Sequence, residues 1–297
     1  MPMSTERSSP RYSSIDVWDA EDIAETIVES QFAAVAAVYA VRKQIASAAV
    51  AMQARLQDHG RLIYAGAGTS GRLAVQDGAE LAPTFGWPDE RLLFLIAGGE
   101  EALLRSVEGA EDDAEGGTRL IAQHAVTAQD VLIAVAASGT TRFTLACLRE
   151  AKRCGALTLG IANNGASPIL DEADHPILLN TGSEPIAGST RMKAGTAQKV
   201  ALNTLSTLLM TLLGKVYRGL MVDVRAVNEK LVKRSEDMLI QLTGRSRDDV
   251  RNALSRANGS VKIAVMLLHG CDLESAKHLL SAAGDRLVAA LDRVGKY

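Results

Sequence analysis

Residues 66–81, which read GAGTSGRLAVQDGAEL, combine a glycine-rich turn with a carboxylate. The glycines at positions 66, 68 and 71 have the spacing of a dinucleotide-binding turn. Thr69 and Ser70 add hydroxyl groups inside this turn, and Glu80 follows further along. Backbone N–H groups of such a turn, together with the start of the next helix, bind anions. The segment therefore predicts a phosphate site with an acid close to it in sequence.

The kind of phosphate depends on a second acid. A dinucleotide site needs an Asp or Glu about 20 residues after the first glycine, where it binds a ribose hydroxyl. Counted from Gly66, this position falls near residues 84–86, which are Thr, Phe and Gly. The next acids, Asp89 and Glu90, precede the following apolar run instead of ending it. The spacing therefore favours a phosphate monoester over a dinucleotide.

Two further segments repeat the Ser, Thr and Gly pattern, and we call residues 66–71, 136–141 and 181–196 the first, second and third hydroxyl loops. Ser and Thr also cap helices, which is the alternative explanation for any one of the loops. Three such loops after strands of one sheet favour a phosphate or polyol site. The candidate substrate-binding residues are Thr69, Ser70, Ser138, Gly139, Thr140, Thr141, Ser183, Glu184, Ser189 and Lys193.

Two groups of acids could carry acid–base chemistry. Glu80 shares one side of a predicted helix with Gln76 and Asp77, and a solvated helix face is the alternative explanation. The second group lies in SVEGAEDDAEGG, residues 106–117, and includes Glu111. Acids at a helix start also stabilise it through the helix dipole. Spacing alone leaves open which acids act.

The elements that must position these residues alternate between strands and helices. Short apolar runs occupy residues 61–65, 92–97, 131–136, 157–162 and 177–180, with helical patterns between them. This order predicts an α/β fold, a doubly wound parallel five-stranded sheet that helices cover on both faces. We expect a loose arm over residues 1–15 and helical sequence from 17 to 59, ending at Gly60. Short helices broken at glycines 244, 259, 270 and 284 form a small C-terminal subdomain.

The predicted domains are an N-terminal arm and helix (1–44), the α/β domain with the candidate phosphate site (45–220) and the C-terminal helical subdomain (221–297). A net charge of −3 and 4% aromatic residues argue against nucleic-acid binding. Apolar runs of about 18 residues without charge are missing, so we expect no membrane span. The polar N-terminus lacks a signal-peptide core, so the expected location is cytoplasmic.

Three scattered cysteines predict reduced thiols and no metal site. The apolar helices predicted at 22–58 and 197–213 are longer than one small sheet can cover, so we expect a homodimer.

Several long blocks closely resemble N-acetylmuramic acid 6-phosphate etherases, bacterial enzymes with the sugar isomerase (SIS) phosphosugar-binding fold. The resemblance covers nearly the whole chain and includes Thr5-Glu6. Its longest blocks are residues 66–86, 97–113, 136–141, 188–199 and 220–231, with LTG at 242–244 and VKIAVML at 261–267. The second hydroxyl loop departs from the family pattern: an SGRTP-like sequence is expected, and the chain has Ser138-Gly139-Thr140-Thr141-Arg142. The glucokinase regulatory protein is a distant relative that binds ligands without catalysis, so the fold alone does not settle the function.

The resemblance implies a small-molecule phosphosugar substrate and cleavage of the C3 ether that joins D-lactate to N-acetylmuramic acid 6-phosphate. The two catalytic glutamates of the family fall on Glu80, the proton donor, and Glu111, which we assign as the base at C2. The 6-phosphate is expected on Ser70, Ser138 and Thr141. Lys193 or Arg72 is the candidate partner of the lactyl carboxylate or of the enolate, and a structural ion pair is the alternative explanation for both. This route requires no metal or redox cofactor. A non-catalytic phosphosugar sensor and an aldose–ketose isomerase remain the alternatives.

Overall fold

A computed structural model describes residues 3–223 and 229–294 of the chain. The N-terminal residues form three short 3₁₀ helices, Ser4–Glu6, Pro10–Tyr12 and Ile15–Val17. The expectation of a loose arm is wrong, because these helices are ordered and Thr5 is 1% exposed and hydrogen-bonded to Asn164.

Two helices follow the N-terminal segment, α1 (Ala20–Ala40) and α2 (Arg42–Leu56). Asp19 caps α1 by accepting hydrogen bonds from the backbone N–H groups of residues 21 and 22. The predicted helical stretch is interrupted at Val41, whose φ of −102° and ψ of 15° are not helical. The predicted end at Gly60 is also late, since α2 ends at Leu56. By length and composition, α1 would suffice to cross a membrane, with a mean hydropathy of 1.2 over 18 residues.

The predicted doubly wound sheet is confirmed. Five parallel strands form it in the order β2-β1-β3-β4-β5. Their bounds are β1 Leu62–Gly66, β2 Leu92–Ile96, β3 Val131–Val135, β4 Leu157–Ala162 and β5 His175–Leu178. The strand order reverses between β1 and β3, and ligands of open α/β sheets bind at such a reversal, outside the carboxyl ends of the strands.

Helices cover the sheet on both faces. The connections carry α3 Gly68–Ala79, α4 Leu81–Phe85, α5 Glu101–Leu104, α6 Ala114–Gln123, α7 Arg142–Arg153, α8 Pro168–Glu172 and α9 Lys193–Leu212, with 3₁₀ helices at Asp89–Arg91 and Ala110–Asp112. One core cluster joins Ile63 and Leu132 of the sheet to Ile121 of α6 and Leu148 of α7. Helix α2 packs against β3, β4 and β5. Burial from both sides explains why the strands read as continuous apolar runs.

The C-terminal part begins with a small hairpin, β6 (Val216–Tyr217) and β7 (Leu220–Met221). Five helices follow, α10 Glu229–Thr243, α11 Arg247–Arg256, α12 Val261–Leu268, α13 Leu273–Ala282 and α14 Leu287–Leu291. The predicted breaks at the four glycines are confirmed. Buried Lys262 donates hydrogen bonds to the carboxylates of Asp223 and Asp285, which ties the end of the hairpin to the loop before α14.

The chain divides into two compact units, residues 1–78 with 90–208, and residues 79–89 with 209–297. We call them unit 1 and unit 2. The predicted boundaries at residues 44 and 220 differ from these and stay a prediction. Part of the block at 220–231 that resembles the etherases lies outside the described residues.

Candidate active site

The first hydroxyl loop brings a glycine and a carboxylate into contact. Gly68 has a φ of +53°, and a Cβ atom there would lie 3.0 Å from Oε1 of Glu111. Glu111 comes from the 3₁₀ helix Ala110–Asp112, far from the loop in sequence. The first turn of α3 holds Thr69 and Ser70, and Ser70 is 7% exposed. Glu111 therefore places an exposed carboxylate against the turn that is predicted to bind phosphate.

The second hydroxyl loop forms a tight turn, and the helix that follows it reaches the segment that holds Glu111. The Ser138 hydroxyl accepts a hydrogen bond from the backbone N–H of Thr140 at 3.1 Å and lies 3.4 Å from the Thr141 hydroxyl. Arg142, the first residue of α7, lies 3.9 Å from the carboxylate of Asp112, the neighbour of Glu111. Because β1 and β3 are adjacent, the first and second loops leave the sheet side by side.

The third hydroxyl loop uses two of its predicted substrate residues to support itself. Glu184 is fully buried. Its two carboxylate oxygens accept hydrogen bonds from the backbone N–H groups of Lys193, at 3.0 Å, and Ala194, at 2.9 Å. The Lys193 amine donates to the carbonyl of Ser183. Burial lowers the pKa of Lys193, and the Glu184 carboxylate opposes this shift. Glu184 therefore caps α9, and the Lys193 amine is engaged within the loop.

One residue of the third loop, Gly195, lies close to the first loop. A Cβ atom at Gly195 would lie 3.6 Å from Cγ2 of Thr69 and 3.3 Å from the carbonyl oxygen of Thr190. Ser183 and Ser189 are half-buried. The third loop thus meets the first through α9, although β5 is separated from β1 by two strands of the sheet.

Arg72, the other candidate for the lactyl carboxylate, is also engaged. Its guanidinium donates hydrogen bonds to the carbonyl oxygens of Ala102, Leu103 and Arg105, at 3.0 to 3.2 Å. These carbonyls end α5, so Arg72 satisfies the C-terminus of that helix.

A polar network that sequence reasoning missed joins the loops. Asn164, which follows β4, donates to Thr5 Oγ1 at 2.9 Å and to the carbonyl oxygen of Ala137 at 2.8 Å. Thr5 in turn accepts a backbone hydrogen bond from Gly188 at 3.0 Å. The second loop, the end of β4, the N-terminal segment and the third loop are therefore linked in one chain of contacts. The Thr5-Glu6 pair within the family resemblance was the available signal.

Glu80 and Asp77 differ sharply in environment, although both were predicted on one side of α3. Asp77 accepts hydrogen bonds from the hydroxyls of Tyr64 at 2.9 Å and Ser206 at 3.1 Å, and burial raises its pKa. Glu80 is exposed and directly follows the last residue of α3, at the end opposite the first hydroxyl loop. It precedes α4 in unit 2, whereas Glu111 belongs to unit 1.

Comparison with known proteins gives the family. A "Glucokinase regulatory protein N-terminal SIS domain" model matches residues 44–152, and a "SIS domain" model matches residues 116–208. The chain is 49% identical to the N-acetylmuramic acid 6-phosphate etherase of Deinococcus radiodurans, over 95% of this chain and 93% of that protein. It is 44% identical to the corresponding etherase of Streptomyces coelicolor over 97% of this chain and 93% of the relative. The Pasteurella multocida etherase is 42% identical, with 98% and 97% covered. The chain therefore belongs to the N-acetylmuramic acid 6-phosphate etherase family.

Proposed function

We propose that this chain is an etherase that cleaves the C3 D-lactyl ether of N-acetylmuramic acid 6-phosphate, giving N-acetylglucosamine 6-phosphate and D-lactate. The observation that carries the proposal is the Glu111 carboxylate, which lies against Gly68 at the start of the first hydroxyl loop. A carboxylate beside a turn that is predicted to bind phosphate supports a role for Glu111 on the carbon chain of a bound sugar phosphate.

The proposed chemistry is an elimination followed by water addition. In the open-chain sugar C1 is an aldehyde, so the proton on C2 is acidic. Glu111 removes this proton, and the bond between C3 and the lactyl oxygen breaks as Glu80 protonates that oxygen. Water then adds to C3 of the unsaturated sugar as the Glu80 carboxylate takes up its proton, and protonated Glu111 returns a proton to C2, which restores both glutamates. One carboxyl group must start protonated and the other ionised, which is the usual division between two catalytic acids.

The 6-phosphate binds, in this proposal, to the hydroxyls of Ser70, Ser138 and Thr141 and to backbone N–H groups at the start of α3. The side chains of Glu184, Lys193 and Arg72 hold parts of the fold together, so we leave them out of direct substrate contact. Thr69 lies where the first loop meets Gly195 of the third loop, and both Thr69 and Ser189 remain in the proposed set.

A lactate assay with the purified protein tests the proposal. We expect D-lactate from N-acetylmuramic acid 6-phosphate, and no turnover by Glu80→Gln or Glu111→Gln at an unchanged melting temperature, because both side chains are exposed. Substrate binding by the wild-type chain without product over hours would favour the sensor. A ketose product from an aldose phosphate would favour the isomerase. Wild-type turnover by either glutamine variant would remove that glutamate from the mechanism.

The proposal extends to a homodimer that works in the cytoplasm without nucleic-acid or membrane partners. Val28, Phe32, Val35 and Tyr39 of α1 form a stripe along one face of the helix and are 54 to 72% exposed. Beside the stripe lies an open apolar groove of about 740 Å³, lined by alanines of α1 and by Pro176 and Leu178. Projecting aromatic rings next to a groove of small residues suit a two-fold interface, in which each copy presents the same patch.

Light scattering tests the dimer. We expect a mass near 63 kDa, twice the 31.5 kDa of one chain. Phe32→Asp should shift the mass towards the monomer, whereas Val50→Asp, at an exposed apolar residue of α2 outside the stripe, should not. A wild-type monomer at micromolar concentration would contradict the proposal.

A further inference from the structure

The N-terminal segment is held at the carboxyl end of the sheet by a buried anchor. Asn164 is 3% exposed and Thr5 is 1% exposed. The amide oxygen of Asn164 accepts the Thr5 backbone N–H at 3.3 Å and the Ser4 hydroxyl at 2.8 Å, while its nitrogen donates to Thr5 Oγ1. The Thr5 carbonyl accepts the N–H of Gly188. Every polar group of Thr5 is therefore used to fix the position of the next residue, Glu6.

Glu6 presents its carboxylate to the third hydroxyl loop. A Cβ atom at Gly188 would lie 2.9 Å from Oε2 of Glu6, and Gly188 has a φ of +77°. A side chain at position 188 would thus meet the Glu6 carboxylate as well as an unfavourable backbone conformation. Ser189, one of the proposed substrate residues, follows directly. Glu6 is exposed, and within residues 3–223 its carboxylate forms no hydrogen bond or ion pair.

The charge of Glu6 limits what it can bind. A carboxylate repels both the phosphate and the lactyl carboxylate of the proposed substrate, but it accepts strong hydrogen bonds from hydroxyl groups. In N-acetylmuramic acid 6-phosphate, C2 carries the acetamido group, C3 the ether and C6 the phosphate. The oxygen on C5 closes the ring, so the C4 hydroxyl is the sugar hydroxyl that is free in both the ring and the open form.

We propose that Glu6 binds the substrate by accepting a hydrogen bond from the C4 hydroxyl of the sugar. It thereby joins the hydroxyl loops as a substrate contact supplied by the N-terminal segment. The inference rests on the proposed etherase function. Glu6 contacts a hydroxyl that does not react, so its hydrogen bond persists from the bound substrate to the transition state.

Steady-state kinetics of lactate release test the inference. Loss of a hydrogen bond to a charged group predicts about a 10- to 100-fold increase in KM for Glu6→Ala, with kcat within about threefold of wild type. Glu6→Gln keeps an acceptor oxygen and should show a smaller increase. Glu25→Ala, at an exposed acid on α1 of unit 1, is the matched control and should behave as wild type. The melting temperature of each variant should equal that of the wild type, because Glu6 is exposed.

Calorimetry of N-acetylglucosamine 6-phosphate and its 4-deoxy analogue tests the role of Glu6 in binding separately from the etherase function. The wild type should bind the 4-deoxy compound about 10- to 100-fold more weakly than the parent compound, and Glu6→Ala should bind the two about equally. This binding result stands even if the wild type releases no lactate, in which case the etherase function fails alone. Wild-type KM in Glu6→Ala, equal discrimination by both proteins, or a fall in melting temperature of several degrees would each overturn the role of Glu6.

Discussion

Replacement of Gly68 by alanine tests whether Glu111 acts where the structure places it. The new Cβ atom would lie 3.0 Å from Oε1 of Glu111, whereas ordinary van der Waals contact begins at 3.4 Å. The carboxylate is the free end of a flexible side chain, so it moves by a few tenths of an ångström and relieves the contact. Displacement of a catalytic group by 1 Å costs about 100-fold in rate, so we expect kcat to fall about 10-fold.

Gly99→Ala is the matched control for the backbone strain. Gly99 has a φ of +67°, close to the +53° of Gly68, but an added Cβ atom there meets nothing within 4 Å. Both variants should lose about 1–2 kcal/mol of stability from the left-handed conformation, or about 2–4 °C in melting temperature per kcal/mol. The assay is lactate release at saturating substrate, with the melting temperature measured alongside. If both variants have the same kcat, the Glu111 carboxylate does not work from its position beside Gly68.

Two further predictions concern stability and thiol chemistry. Burial opposes the charge of Asp130, but hydrogen bonds from Arg61 and Thr127 outweigh it and hold the pKa of Asp130 below its ordinary value. Asp130→Asn should therefore lower the free energy of unfolding by about 2 kcal/mol at pH 7. This difference in unfolding free energy should shrink below about pH 4, as wild-type Asp130 takes up its proton. Urea unfolding of both proteins across this pH range measures the difference, and a difference that does not change with pH would contradict the prediction. Burial raises the pKa of Cys147 to about 12, so iodoacetamide at pH 8 should label the half-exposed Cys154 and Cys271 in the native protein and spare Cys147 until urea is added. Peptide mass spectrometry measures this, and rapid native labelling of Cys147 would refute its burial.

The strands and the C-terminal helices were predictable because their signals are local. The five apolar runs are bounded by turn residues, and all five became strands within two residues of the predicted limits. Glycines likewise marked the ends of the C-terminal helices. These features depend on patterns that a window of 5 to 15 residues contains.

The position of the N-terminal segment was not predictable, because its partners are remote. Thr5 is hydrogen-bonded to Asn164, which lies 159 residues away in the sequence. The polar tripeptide Ser4-Thr5-Glu6 also has no periodic pattern that would predict its position. The role of Glu184 was hidden for a similar reason. An acid in a Ser- and Gly-rich loop has the same sequence signature whether it contacts a ligand or caps the next helix, and only its burial separates the two.

The acids show what spacing alone leaves undecided. Asp77 and Glu80 are both compatible with one helix face, yet Asp77 is bound by two hydroxyls and Glu80 is exposed. Glu111 is one of several acids in residues 106–117, and the sequence pattern alone does not select it as the catalytic one. Its contact with Gly68 distinguishes it, and that contact depends on the return of the chain to the switch point of the sheet.

The most direct test of the proposed chemistry is to run the reaction in water enriched in ¹⁸O. Mass spectrometry then determines which oxygen atoms of the two products carry the label. Elimination followed by water addition predicts the heavy oxygen at C3 of N-acetylglucosamine 6-phosphate and none above the solvent-exchange background in D-lactate. Incorporation of the label into the C2 hydroxyl of lactate, with none at C3 of the sugar, would contradict elimination and with it the roles proposed for Glu80 and Glu111.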